Sequence, residues 1–173
     1  MSNLEETKNS LNFNSYLTND IKENLMQLIT IFNKSFPEID LSNLNERLKT
    51  LRIVRGSKFL IKGSSYYNPI DNELLLNMVF IDNGADCKHI LMRELLNIIT
   101  AKDNFSGFNK DNAYEALNLG YTEILSNYLV GNEGEPEYED EIIATNMLGI
   151  VIGKDKFYEA FFKNDASLIT NEA

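Results

Sequence analysis

The chain is poor in several things that common functions require. Its 173 residues hold one cysteine, one histidine, three prolines and no tryptophan. A lone cysteine, Cys87, excludes an intramolecular disulfide and any cysteine-rich zinc module. Positive charge is scarce: 16 Lys and Arg stand against 26 Asp and Glu, a net charge of −10. Clustered cations are what phosphate backbones and anionic lipid headgroups bind, so this balance argues against nucleic acid and against a membrane surface. No long apolar run opens the chain. Residues 1–19 are polar and acidic, and read as neither a secretory signal nor an anchor, so the expected location is cytoplasmic. A phosphate-cradling glycine loop, a Gly-x-Ser-x-Gly elbow and a Cys–His pair with a third member are all missing. Cys87, beside Lys88 and His89, reads as a buried or half-buried thiol at a helix start rather than a nucleophile.

What is present suits a soluble globular domain, with 43% hydrophobic and 24% charged residues. Residues 1–18 read as a flexible lead-in and 19–173 as a single domain. A helix is expected after Asn19-Asp20, with Ile21, Leu25, Leu28, Ile29, Phe32 and Phe36 at helical spacing before Pro37. A short helix over Leu41, Leu44 and Leu48 follows. The period then changes: Arg52–Val54, Phe59–Ile61 and the apolar run Leu74–Ile81 read as strands of a small, mostly antiparallel sheet. The residues after them form a central helix from about Cys87 to Ala101, a polar loop over 102–112, and a helix over about 113–130. An exposed acidic loop over 131–137 and helices near 138–152 and 156–162 complete the pattern. The fold class is α+β, mainly α, with no repeat and no interdomain linker.

Chemistry concentrates in the central helix. Ile90, Leu91, Leu95, Ile98 and Ile99 form an apolar stripe, and Glu94 falls inside it. A carboxylate among Ile and Leu costs several kcal/mol unless it is paired, metal-bound or protonated. The plainer alternative is a glutamate at the edge of the stripe reaching solvent or an arginine. His89, Arg93 and Asn97 lie at successive steps of four and make a polar line beside it. On the next helix Glu123 shares a side with Ala116, Gly120 and Asn127. The small residues at 116 and 120 are expected to let that helix approach closely and bring Glu123 toward Glu94.

A sheet strand, a helix with a Glu-Leu-Leu core, and then Leu117-Asn118-Leu119-Gly120-Tyr121-Thr122-Glu123 resemble small bacterial zinc metallopeptidases of the gluzincin kind. In those, the first helix carries His-Glu-x-x-His and the second reads Asn-Glu-Gly-(Phe/Tyr)-Thr-Glu. Tyr138-Glu139, Ile150–Gly153 and Ala160–Asp165 extend the likeness, which covers roughly residues 74–168. The resemblance implies a zincin-like fold. Glu94 matches the general base and Glu123 the acidic zinc ligand, whereas Arg93 and Asn97 stand where the two histidines would be. Arginine has no lone pair to offer a metal, asparagine binds zinc weakly, and His89 lies one turn too early to restore the pair. Without metal there is neither activated water nor Lewis acid.

The expectation is therefore a catalytically inactive, metallopeptidase-like binding or regulatory module. It would bind no zinc, and its partner would be a peptide or a protein. Residues 93, 94, 97 and 123 would survive as a buried Glu–Arg–Glu–Asn cluster, with Arg93 neutralising Glu94 or Glu123 and Asn97 donating to Glu123. One alternative is a hydrolase using Glu94, Glu123, His89 and Asp86 with a hard cation. Another is a plain interaction protein, for which Tyr66-Tyr67 on an exposed turn would offer a surface.

Overall fold

The computed structural model describes residues 3–57, 61 and 63–171. In chain order its elements are α1 (Asn3–Phe13), α2 (Asn19–Ser35), α3 (Ser42–Leu48), β1 (Arg52–Gly56), β2 (Ser65–Asn68), β3 (Glu73–Asn77) and α4 (Met78–Asp82). These are followed by α5 (Cys87–Ile99), β4 (Ala101–Lys102), β5 (Phe105–Ser106), a 3-10 turn at Lys110–Asn112, α6 (Glu115–Val130), α7 (Glu139–Ile152), α8 (Lys154–Phe162) and α9 (Ser167–Thr170). Helices account for 60% of the structure, so the fold is α+β with α dominant.

Burial decides the layout. Helix α5 is the axis, with Ile90, Met92, Leu95, Leu96, Ile98 and Ile99 all buried. It packs against α6 on one side and against β2 and α3 on another. At about 1.5–3 kcal/mol for each fully buried aliphatic side chain, this one helix supplies a large part of the driving force for folding. Helix α2 places Leu25, Leu28, Ile29 and Phe32 in the same core, following the expected spacing. Helix α8 is tied to α6 through aromatic rings: the centroids of Tyr121 and Phe161 are 5.1 Å apart, and those of Phe108 and Phe161 5.3 Å. Gly107, at φ +53°, lies under this cluster, where a Cβ would run into Asn118 and the Phe161 ring.

The three-stranded sheet has the order β1-β3-β2 and is mixed. Strand β1 runs parallel to β3, and β2 antiparallel to it. The parallel pairing is possible because the long connection through β2 lets β3 return alongside β1. Strand β2 is left at an edge, with Tyr67 buried and Tyr66 about half exposed. That pair is therefore part of a strand and not an exposed turn. The strand expected over Phe59–Ile61 falls mostly outside the described residues, and Ile61 is not in a strand.

Several expectations are corrected. Residues 3–13, read as part of a lead-in, form a helix packed on α2 and α3. Few apolar groups hold it, which is why its pattern was faint. Leu11 is buried with Thr7 and Ser10, and Thr7 hydrogen-bonds Asn45 at 2.6 Å. Asn14 then donates to the Leu48 and Leu51 carbonyls at 2.7 and 2.9 Å. The apolar run Leu74–Ile81 is not one strand: the Asn77 side chain accepts from the Val79 amide at 3.2 Å and turns the chain into α4. The polar loop over 102–112 contains the small β4–β5 hairpin. Cys87 is at a helix start, as expected, but exposed.

Candidate functional site

Helix α5 is aimed at its first turn. Asp86 caps it, accepting from the Lys88 and His89 amides at 3.0 and 3.3 Å. The other Asp86 oxygen accepts from the Glu133 amide at 2.9 Å. Burial works to raise the Asp86 pKa, but these backbone donors outweigh it and hold the carboxyl below its ordinary value. Asp86 thus joins the helix to the 131–137 loop, and is committed to backbone rather than to a cation. That loop, expected to be exposed, is half-buried at Gly131, Asn132, Gly134 and Glu137.

One turn apart along α5, His89 and Arg93 reach the same carboxylate on α6. His89 Nε2 is 2.7 Å from Glu123 Oε2, and Arg93 Nη1 is 2.5 Å from Glu123 Oε1. Arg93 is 1% exposed, yet every arm of its guanidinium is used. Nε donates to Glu94 at 3.3 Å, and Nη2 donates to Ser64 Oγ at 2.8 Å and Ser65 Oγ at 2.6 Å. Nη1 also stands 3.6 Å from Glu137, and the guanidinium lies over the Tyr138 ring, 5.3 Å from its centroid. Ser65 passes the interaction on, donating to Glu94 Oε1 at 2.7 Å. Glu137 holds the arrangement from the loop by accepting from the Ser64 amide at 3.0 Å.

Protonation follows from the partners. His89 Nδ1 is 2.8 Å from the Gly131 carbonyl, which only accepts, and Nε2 faces a carboxylate. Both ring nitrogens therefore donate, and the ring is an imidazolium. Burial works to lower its pKa, but the Glu123 hydrogen bond and charge and the Gly131 carbonyl raise it above the ordinary histidine value. For Glu123, burial works to raise the pKa, while His89 and the Arg93 charge more than offset this and hold it down. Burial likewise opposes the Arg93 charge, and Glu94, Glu123 and Glu137 restore it, leaving its pKa above the usual value.

The structure thus brings His89, Arg93, Glu94 and Glu123 together, all at most 4% exposed. Asn97 joins them differently from expectation: its amide donates to Glu94 Oε2 at 3.1 Å and not to Glu123. Its own oxygen accepts from Asn118 at 3.0 Å, and Asn118 accepts from the Phe108 amide at 3.1 Å. Gly120 also acts elsewhere. A Cβ there would strike Glu141 and Thr145, so its smallness admits α7, while Glu123 faces α5 from another side of the helix. Ala116 is exposed. Sequence reasoning missed Ser64, Ser65, Glu137 and Asn118, which arrive from β2, a loop and the neighbouring helix. Only Asn118 carried a signal, as a member of the motif before Glu123.

The residues do not fit the zinc that the resemblance would imply. A cationic guanidinium fills the space between Glu94 and Glu123, and His89 has no free lone pair. A hard cation used with Glu94, Glu123, His89 and Asp86 meets the same obstacle. Beside Glu94 lies an open cavity of about 270 Å³, lined by β2, by α5 at Glu94 and Asn97, by β5 and by the start of α6. No protein-family model, curated protein or solved structure matches the chain.

Proposed function

We propose that this chain is a metallopeptidase-like protein without zinc or peptidase activity, acting as a binding or regulatory module for a peptide or protein partner. One observation carries the reading. Arg93 sits between the two carboxylates that match a general base and an acidic zinc ligand, and supplies from the protein the positive charge a metal would bring. The cavity beside Glu94 supports a retained binding role. It runs along β2, an edge strand, and extended peptides bind by adding to such edges without needing a metal. No helix among the described residues is long and apolar enough to cross a membrane. The reading includes a reducing, cytoplasmic setting, supported by the exposed free thiol of Cys87.

Elemental analysis of protein purified without chelator tests this, together with zinc titration of the wild type and of Arg93→His/Asn97→His. The wild type is expected to hold no stoichiometric zinc and the double variant to acquire it through the new histidines and Glu123. Stoichiometric zinc in the wild type would overturn the inactive reading, and failure of the folded double variant to bind zinc would remove the peptidase kinship.

A further inference from the structure

Helix α7 is apolar on the side that faces away from the protein. No charged residue occurs from Ile142 to Gly153, yet Thr145 is the one buried residue of the helix. Thr145 and Glu141 close on Gly120 of α6. The opposite face carries Ile143, Met147, Leu148, Ile150 and Val151, between 42% and 81% exposed and on one side of the helix. A surface helix normally turns such a stripe toward the core. These side chains form a patch on the order of 600 Å², the upper end of the roughly 300–600 Å² that a monomer exposes. Tyr128 of α6, also exposed, borders the same groove as Asn146 and Gly149. It brings the apolar surface toward the ~800 Å² per partner of a stable interface. The two ends of the face are charged and of opposite sign. Asp140, in the first turn, and Lys154, just past the break at Gly153, are both exposed. Neither forms an ion pair among the described residues.

We infer that this face docks a second copy of the same chain, with the two α7 helices antiparallel about a two-fold axis at Met147. Charge selects this occupant. Asp140 and Lys154 stand equally far along the chain on either side of Met147. An antiparallel copy therefore sets each acid toward the other copy's base, twice by symmetry, whereas parallel copies would set like against like. The spacing agrees with the charges. Asp140, Ile143, Met147 and Ile150 follow steps of three, four and three, the seam by which paired helices interlock. Across the axis Ile143 meets Val151 and Ala144 meets Ile150, while the flexible Met147 packs on its own counterpart. The net charge of −10 opposes self-association. None of it lies on the apolar stretch, and exposed charges are screened beyond about 8 Å at physiological salt.

Sedimentation equilibrium of the full chain, from roughly 1 to 200 µM, tests this. The wild type is expected to reach twice the mass of one chain as concentration rises. Met147→Glu sets two carboxylates together at the axis and is expected to weaken the dimer about a hundredfold or more. Val151→Glu repeats the test away from the axis. Both positions are exposed, and circular dichroism confirms that each variant is folded. Asp140→Lys and Lys154→Asp are each expected to weaken the dimer about three- to tenfold, and the two combined to restore it. A wild type that stays monomeric throughout, or a dimer indifferent to both glutamate variants, would overturn the proposal. Loss of the dimer in the glutamate variants without rescue by the exchanged charges would overturn the antiparallel pairing. A monomer that sediments with phosphatidylcholine vesicles, and ceases to in Met147→Glu, would give the face to a lipid surface and overturn the second copy.

Discussion

His89 and Glu123 meet through Nε2 and Oε2 at 2.7 Å, while the opposite edge of the same imidazole is held by the Gly131 carbonyl at 2.8 Å. This makes His89 a buried cation with fixed orientation, and it has a measurable signature in pH. The folded pKa of His89 is raised, so its stabilisation is complete below about pH 6.5 and is lost as the pH rises through the raised value. Glu123 is the opposite case. Its folded pKa is lowered, so its contribution is complete above the ordinary carboxyl range near pH 4.3 and is lost as the pH falls through the lowered value. Denaturant unfolding across pH should therefore show a plateau between the two limbs. His89→Gln is expected to flatten the alkaline limb and keep the acidic one; an unchanged alkaline limb would refute the imidazolium.

Removing Arg93 should be far more damaging than removing a surface arginine. Arg93→Met leaves Glu94 and Glu123 buried with reduced compensation, and stripping one partner from a buried ionic group costs about 3–5 kcal/mol. Equilibrium unfolding measures this directly, and a loss under about 1 kcal/mol would mean that the cluster does not hold the helices.

Gly120 and Gly149 are predicted to respond in opposite directions to alanine. Within a helix, alanine is normally better than glycine by about 1 kcal/mol. At Gly149 nothing lies within 4 Å of the added methyl, so Gly149→Ala should stabilise by up to that amount. At Gly120 the methyl meets the Glu141 carbonyl, backbone that cannot yield without moving α7, so Gly120→Ala should destabilise by about 1–3 kcal/mol. Thermal unfolding of the two variants side by side decides the matter.

Asn118→Ala should cost about 1–3 kcal/mol, because it strands the Phe108 amide and the Asn97 oxygen together. A double-mutant cycle with Asn97→Ala is expected to be non-additive, since the two amides share one chain of hydrogen bonds. Additive losses would separate the two residues energetically.

Much of this was legible in the sequence where a single periodic pattern decides burial. Helices α2, α5 and α8 follow their apolar spacing, and the buried position of Glu94 follows from its neighbours at 90, 91, 95 and 98. That Arg93 would meet a carboxylate was readable too, because a glutamate placed among Ile and Leu requires a cation; which of Glu94 and Glu123 it would meet stayed open, and it meets both. Polar fastening was not readable. Helix α1 depends on Thr7 and Asn14 rather than on a stripe, and Asn77 ends β3 with one side-chain hydrogen bond. Ser64, Ser65 and Glu137 come from segments with no sequence relation to α5, so their contribution depends on register and loop path. The direction in which Asn97 points is of the same kind: both carboxylates lay within reach, and only the packed helix pair chooses between them.

Because one guanidinium grips Ser64 and Ser65 beside the sheet, Glu94 on its own helix and Glu123 on the next, none of these segments can detach without releasing the others. The amides of α5, α6 and β2 should therefore exchange with solvent deuterium as one cooperative unit, at the free energy of global unfolding. Arginine at position 93 would then have fused the sheet and two helices into a single foldon.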